Sequence, residues 1–143
     1  SLRVNPPEKV EARKKKREEA FRFFMMFANA DCERVAIENP VGYANLNWRK
    51  PDQIIHPYFF GDPHMKRTCL WLKNLPPLDY SETIMEKPEP VYICNGKIRT
   101  GKKIHWTESI GKGYGSQAEI AKARSKTFPG IAKAMAEQWG SVL

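Results

Sequence analysis

"RVAIENPVG", residues 34–42, is an apolar run that ends on a carboxylate and an amide. Val35, Ala36 and Ile37 have the character of a buried strand. Glu38 and Asn39 stand at its end, and Pro40 follows them. Proline fixes its own φ, removes a hydrogen-bond donor and biases the preceding residue to an extended conformation. The strand end is therefore held rather than loose, which suits a group that recognises a ligand. In open α/β sheets ligands bind at the carboxyl ends of strands. The stretch thus predicts a strand of such a sheet with a polar side chain mounted at its end. The competing expectation is an exposed or paired loop glutamate.

Upstream, Pro6 and Pro7 suit the first turn of a helix, where a missing N–H costs nothing. From Glu8 to about Ala30 there is no Gly or Pro, and strong helix formers dominate. The first half, "EKVEARKKKREEA", is charged on nearly every face and predicts a solvated helix. The second half, "FRFFMMFANA", is apolar almost all round and predicts burial on more than one side. Basic and apolar residues lie end to end rather than on opposite faces, which argues against a helix lying in a membrane surface. Helix, turn and apolar strand make half of a βαβ unit.

Downstream, "TCLWL", residues 68–72, predicts a second buried strand, stopped by "NLPPL". In "VYICNGKIRTGKKIHWTE", Asn95-Gly96 is a strong hairpin turn signal. It pairs Val91–Cys94 with Lys97–Thr100, and Lys103–Thr107 is expected to add a third strand. "SIGKGYGSQ", residues 109–117, lacks the spacing of a phosphate loop. Ile131, Met135 and Trp139 recur every four residues and predict a final helix, with Pro129 near its start and Gly140 as its stop.

The 143 residues suffice for one domain, 1–143, with a modest core. No apolar run approaches the roughly 18–20 residues that cross a membrane. The first twenty residues are charged and polar, unlike a signal peptide. Lys and Arg number 24 against 16 Asp and Glu, a net charge of +8, which favours a polyanionic partner, nucleic acid first. Cys32, Cys69 and Cys94 are too few and too scattered for a secreted disulfide framework. They are expected to be buried thiols in a reducing, cytoplasmic setting. His56, His64 and His105 show no metal-ligand spacing with them, so no metal site is predicted. Arg49, Lys50, Lys66 and Arg67 flank Trp48, Tyr58 and Phe59, and Lys97, Arg99, Lys102 and Lys103 decorate the hairpin near Trp106. Cations interleaved with aromatics suit phosphate contacts and base stacking; the alternative is a solvated basic surface.

"IENPVG", "RKPDQIIHPYFFGDP", "KRTCLWLKNLPPL" and "ARSKTFPGIAKAMAEQWG", in this order, resemble the carboxy-terminal portion of phage and prophage DNA methyltransferase-like proteins, usually described as DNA cytosine-5 methyltransferases. The resemblance spans about residues 8–78 and 122–140. Residues 79–121 fall where such proteins carry variable sequence, the place of a target-recognition hairpin. The resemblance implies a Rossmann-like sheet that binds S-adenosylmethionine, with a Pro-Cys nucleophile in its amino-terminal half and a Glu-Asn motif that grips a flipped cytosine. Glu38 and Asn39 match that Glu-Asn pair. A protonated glutamate donates to cytosine N3 and accepts from the N4 amine as the nucleophile adds, and the base must leave the duplex to reach it.

The chain departs from the family pattern. Pro40 stands where valine is usual, no cysteine follows a proline, and no Gly-rich loop follows an early strand. The resemblance therefore implies an α/β fragment. It is a partial Rossmann-like sheet, the carboxy-terminal half, with a long N-terminal helix, an inserted β-hairpin and a C-terminal helix. Such a chain is expected to bind DNA and contribute the target-base pocket, to hold no S-adenosylmethionine, and not to catalyse alone. Its expected partners are DNA and either a missing amino-terminal half or a second copy. The alternative is a free-standing, non-catalytic nucleic-acid-binding or regulatory module derived from the family.

Overall fold

Pro7 opens a 22-residue helix, α1 (Pro7–Ala28). Its first-turn position spares the donor that proline lacks. Asn29 ends the helix by donating its backbone N–H to Met25 O at 2.9 Å. The chain turns and returns as β1 (Val35–Pro40), then forms a five-residue helix, α2 (Tyr43–Asn47), and a short strand, β2 (Gln53–Ile55). A 3-10 helix (Pro57–Phe60) ends at Gly61, whose φ of 92° is left-handed. Then come β3 (Thr68–Lys73), β4 (Val91–Cys94), β5 (Lys97–Ile104) and the final helix α3 (Pro129–Gly140). This computed structural model describes residues 4–40, 42–89, 91–94, 97–104, 116, 118, 121–122 and 125–141, and gives 91–94 and 97–104 as backbone.

β3 lies between β1 and β2 in a three-stranded antiparallel sheet, so β1 and β2 run in one direction and β3 in the other. The expected mixture of helix and sheet is present. A parallel Rossmann-like sheet is not among the described elements. β3 ends at Asn74, which takes a left-handed φ of 53° that asparagine tolerates better than most residues. Its side chain donates to Glu33 O at 2.6 Å and ties the end of β3 to the approach to β1. The stop after β3 is thus made by Asn74 before the prolines are reached.

The chain divides into two compact units. The first holds residues 1–53 and 69–75, the second 54–68 and 76–143. In the first, α1 packs on β1 and α2. Its centre is aromatic. Phe24 meets Trp71 edge-on at 5.2 Å and Trp48 at 5.6 Å, and Phe21 meets Tyr43 at 5.1 Å. Cys69, Leu70 and Trp71 are buried, as the apolar run "TCLWL" predicts. Asp52 fastens the sheet edge: its N–H donates to Leu70 O at 2.8 Å and its carboxylate accepts from Leu72 N–H at 2.6 Å.

The Trp71 indole N–H donates to Arg49 O at 3.1 Å. Trp71→Phe keeps a ring but deletes that donor and leaves a void beside the acceptor. It is expected to cost about 1–2 kcal/mol of stability, read as a lower urea midpoint. An unchanged midpoint would mean that the bond contributes nothing net.

The expectation of burial for "FRFFMMFANA" is corrected. No residue of α1 is buried, and Phe23, Met26 and Phe27 are 61%, 68% and 50% exposed. Only the Phe21–Phe24 side of the helix meets the aromatic cluster, and no described element covers the other side. The cysteines also divide: Cys69 is buried but Cys32 is exposed.

In the second unit α3 packs on the 3-10 helix. Ile131 and Trp139 are buried and Met135 half-buried, as the four-residue spacing predicts. The Trp139 indole N–H donates to Pro76 O at 2.8 Å. Gln138 grips the backbone of Asp79 twice, accepting from its N–H and donating to its carbonyl, both at 2.7 Å. The segment from Pro76 to Asp79 is thereby fastened along α3. Gly140 lies inside the last turn, and the chain leaves through Ser141 in a right-handed conformation, so glycine is not the left-handed stop expected. Ser81 donates its backbone N–H to Asp79 at 2.9 Å, and that bond, with its side chain, holds the Asp79 carboxyl below the usual range.

β4 and β5 form the hairpin that Asn95-Gly96 predicts, but with one long second strand instead of two. Cys94 pairs with Lys97 and Ile93 with Ile98; Tyr92 then pairs with Lys103 and Val91 with Ile104. Residues 99–102 of β5 therefore have no counterpart on β4. The expected third strand begins as the continuation of β5, and its part beyond Ile104 lies outside the described residues.

Candidate nucleic-acid interface and base-contacting strand end

β1 alternates in burial along its length. Val35, Ile37 and Asn39 are half-buried, while Ala36, Glu38 and Pro40 are exposed. This period of two is what a strand covered on one face produces. Glu38 is thus delivered to the open face at the carboxyl end of β1, and its carboxylate has no hydrogen bond or ion pair among the described residues. Asn39 points to the opposite face. The two members of the Glu-Asn pair are brought to one strand end, but only Glu38 faces solvent.

Immediately beyond, Gly42 leads into α2 in an extended conformation. Asn45 on α2 donates from Nδ2 toward Cys69 Sγ at 3.7 Å, and its buried Oδ1 has no partner among the described residues. Asn45 is not among the residues that the sequence singles out. Its only signal there is an amide in a short helix directly after the Glu-Asn-Pro segment.

The cations differ in availability. Arg49 is occupied: its guanidinium stacks over Trp48 at 4.6 Å, pairs with Asp52 at 3.1 Å and donates to Lys50 O at 3.4 Å. It serves as a strut for the aromatic cluster. Lys50 and Arg67 are exposed, and Lys66 is half-buried. Lys97, Arg99, Lys102 and Lys103 lie on β5, where the backbone alone is described. Lys97 sits opposite Cys94 beside the turn, Lys103 opposite Tyr92, and Arg99 and Lys102 in the unpaired stretch. Trp106 and most of 109–117 lie outside the described residues. Tyr58 and Phe59 are half-buried, Phe59 packed on Tyr80 at 4.5 Å, so neither ring stands free for stacking.

An open apolar groove of about 510 Å³ runs along α1 between Phe21, Arg22, Met25, Met26 and Asn29. It includes none of the site residues expected from the sequence. Among the described residues no cluster of three or more His, Cys, Asp or Glu is placed to hold a metal ion. No described helix is long and apolar enough to cross a membrane. No protein-family model, curated protein or solved structure matches the chain.

Proposed function

We propose that this chain is the DNA-binding, target-base-contacting half of an S-adenosylmethionine-dependent DNA methyltransferase, acting in the cytoplasm and inactive in methyl transfer alone. The observation that carries this is Glu38: a carboxylate held at the carboxyl end of a sheet strand, exposed and without a partner among the described residues. A carboxylate presented at an open strand end is available to a ligand.

The mixture of helix and sheet supports the reading at the level of an α/β fold. β1 is an outer strand of the described sheet, with its far edge open for further strands. The exposed apolar residues of α1 belong to the helix that packs on the same strand. An amino-terminal half bearing the S-adenosylmethionine loop and the nucleophilic cysteine would cover both; a second copy is the other candidate for that surface.

The test is duplex binding by the whole chain, measured as anisotropy of a labelled oligonucleotide at several salt concentrations. Binding is expected to weaken with salt. Replacing Lys97, Arg99, Lys102 and Lys103 together by alanine is expected to reduce the slope of log affinity against log salt by roughly 0.9 for each phosphate left unneutralised. No duplex binding at low salt would overturn the proposal. A slope untouched by the substitutions would remove the hairpin from the interface.

A further inference from the structure

We infer that two copies of this chain pair through the free edges of β1, antiparallel and around a twofold axis at Ala36, so that their sheets become one. This goes beyond the DNA-binding proposal and stands on the strand edge alone. It commits the surface beside β1 to a second copy wherever the amino-terminal half is absent.

The edge is open and able to pair. β3 lies on one side of β1, and among the described elements no strand lies on the other. Successive residues of a strand turn their backbone N–H and C=O groups to alternate sides. Two observations fix which residues of β1 turn outward. Glu33 O accepts from the Asn74 side chain at the end of β3, so the odd-numbered residues turn toward β3. Pro40 lacks an N–H and belongs on the outward side, where β3 needs no donor from it. Ala36 and Glu38 therefore offer their backbone groups to the free edge, as does Arg34 just before the strand. An uncovered edge of this kind is a template for another strand. β1 carries no lysine, and its one proline is its last residue, so nothing along it blocks pairing.

The sequence at this edge is complementary to itself. "RVAIE", residues 34–38, reads cation, apolar, small, apolar, anion. Antiparallel pairing centred on Ala36 sets Arg34 opposite Glu38 of the second copy, Val35 opposite Ile37, and Ala36 opposite Ala36; the twofold repeats the first two pairs. Arg34, Ala36 and Glu38 then exchange about six backbone hydrogen bonds with their counterparts. Pro40 falls beyond the partner's strand, where its missing donor costs nothing. Other registers lose this fit. One centred on Glu38 opposes two carboxylates, and one centred on Ile37 sets Pro40 against Arg34, where a donor is missing. In the single chain Arg34 pairs with its exposed neighbour Glu33 at 3.3 Å, a contact that it exchanges at little cost. The pairing occupies Glu38, so the dimer and a base-bound state are alternative uses of one carboxylate.

α1 fits the same axis. It packs on β1, and its Phe24 leans inward onto Trp71 of β3. Arg22, Met25 and Asn29 lie roughly 100–160° round the helix from Phe24, so the groove that they line leans outward over the free edge. Neighbouring strands stand about 4.8 Å apart. Two helices, each seated between β1 and β3, would therefore lie roughly 10 Å apart, the ordinary distance for packed helices. The grooves then face one another, with the adaptable side chains of Met25 and Met26 between them.

The experiment is sedimentation equilibrium of the full chain across micromolar concentrations, without DNA. The mass is expected to rise from one chain to two and to stop there, as a closed twofold pair requires. Arg34→Glu and Glu38→Arg each set like charges across the axis, twice per dimer, and each is expected to weaken association by about tenfold or more. The double exchange restores the opposite-charge pairs in reversed order and is expected to recover most of the loss. Ala36→Pro removes an outward N–H that the single chain does not need, and is expected to abolish the dimer with helix content unchanged by circular dichroism. The charge exchange decides independently of the proline's effect on folding. A chain that stays monomeric throughout overturns the inference, and growth beyond two chains does so too. A dimer untouched by Ala36→Pro would place the contact on another surface, such as the exposed Phe23–Phe27 side of α1, and overturns it. A double exchange no better than the single ones has the same consequence. None of these outcomes bears on duplex binding, which stands or fails by its own measurement.

Discussion

Gly130→Ala is expected to lower the stability of the chain by about 3 kcal/mol, near the upper end of what overpacking costs. For a chain of this size that is a fall in unfolding midpoint on the order of 10 °C. The reason is local. Gly130 is the second residue of α3, and the helix start is pressed against the end of the 3-10 helix. A Cβ at this position would fall far inside van der Waals contact with the Phe60 carbonyl oxygen, 3.0 Å from Phe60 C and 2.8 Å from Asp62 Oδ2. The first is backbone and cannot rotate away. The third is the carboxylate that accepts from Gly130 N–H at 2.8 Å. That bond satisfies one of the donors left open at a helix start and places negative charge where the helix dipole favours it. The methyl group therefore forces α3 off the 3-10 helix and breaks its cap together. Asp62→Ala deletes the cap alone and is expected to cost about 1 kcal/mol. Thermal unfolding followed by circular dichroism measures both. A Gly130→Ala chain as stable as the parent would show that α3 does not start where it is placed.

Glu38→Gln is expected to leave the unfolding midpoint unchanged and to slow methyl transfer on the order of 100-fold, the usual scale for losing a general acid. The stability half follows from the fold: an exposed side chain without a partner among the described residues has little to lose. The kinetic half follows from the proposed function and needs the chain assembled with the cofactor-binding half. Glutamine retains an acceptor for the N4 amine and an amide donor, so ground-state binding survives. It has no proton to share with N3 as the nucleophile adds, so the chemical step bears the loss. Single-turnover methylation beside thermal unfolding separates the outcomes. A destabilised but fully active Glu38→Gln enzyme would sink the base-pocket assignment.

Much of the first unit is legible in the sequence because its signals are long or strongly patterned. α1 follows from a Gly- and Pro-free run with prolines at its entry, and β1 and β3 from compact apolar runs with clear ends. β2 and α2 are three and five residues long, too short to show a period. The order of the strands is not legible, because pairing across β3 is decided by contacts far apart in sequence. Composition misleads at "FRFFMMFANA": an apolar stretch states that it should be covered, not that a covering element exists. At the site, Glu38 at the strand end is visible from "RVAIENP". That Asn39 must face the other way is also visible, since alternation along a strand is strict, but a Glu-Asn motif reads the two residues as one unit. The anchoring of Arg49 by Asp52 lies in plain spacing, three residues apart, yet a run of cations beside a tryptophan suggests availability instead.

The unpaired stretch 99–102 gives the hairpin an unusual tolerance for change in length. One ladder, Ile93–Ile98 and Cys94–Lys97, is fixed from the turn; the other, Val91–Ile104 and Tyr92–Lys103, is fixed from the base. Residues added or deleted between Ile98 and Lys103 shift neither set of pairs, so neither strand is turned over. In an ordinary hairpin a one-residue change on one strand reverses the facing of everything beyond it. Here the strand bearing Arg99 and Lys102 can lengthen, shorten or change sequence at its middle while both ends keep their register. Variation in the sequence of this strand is thereby uncoupled from variation in its register.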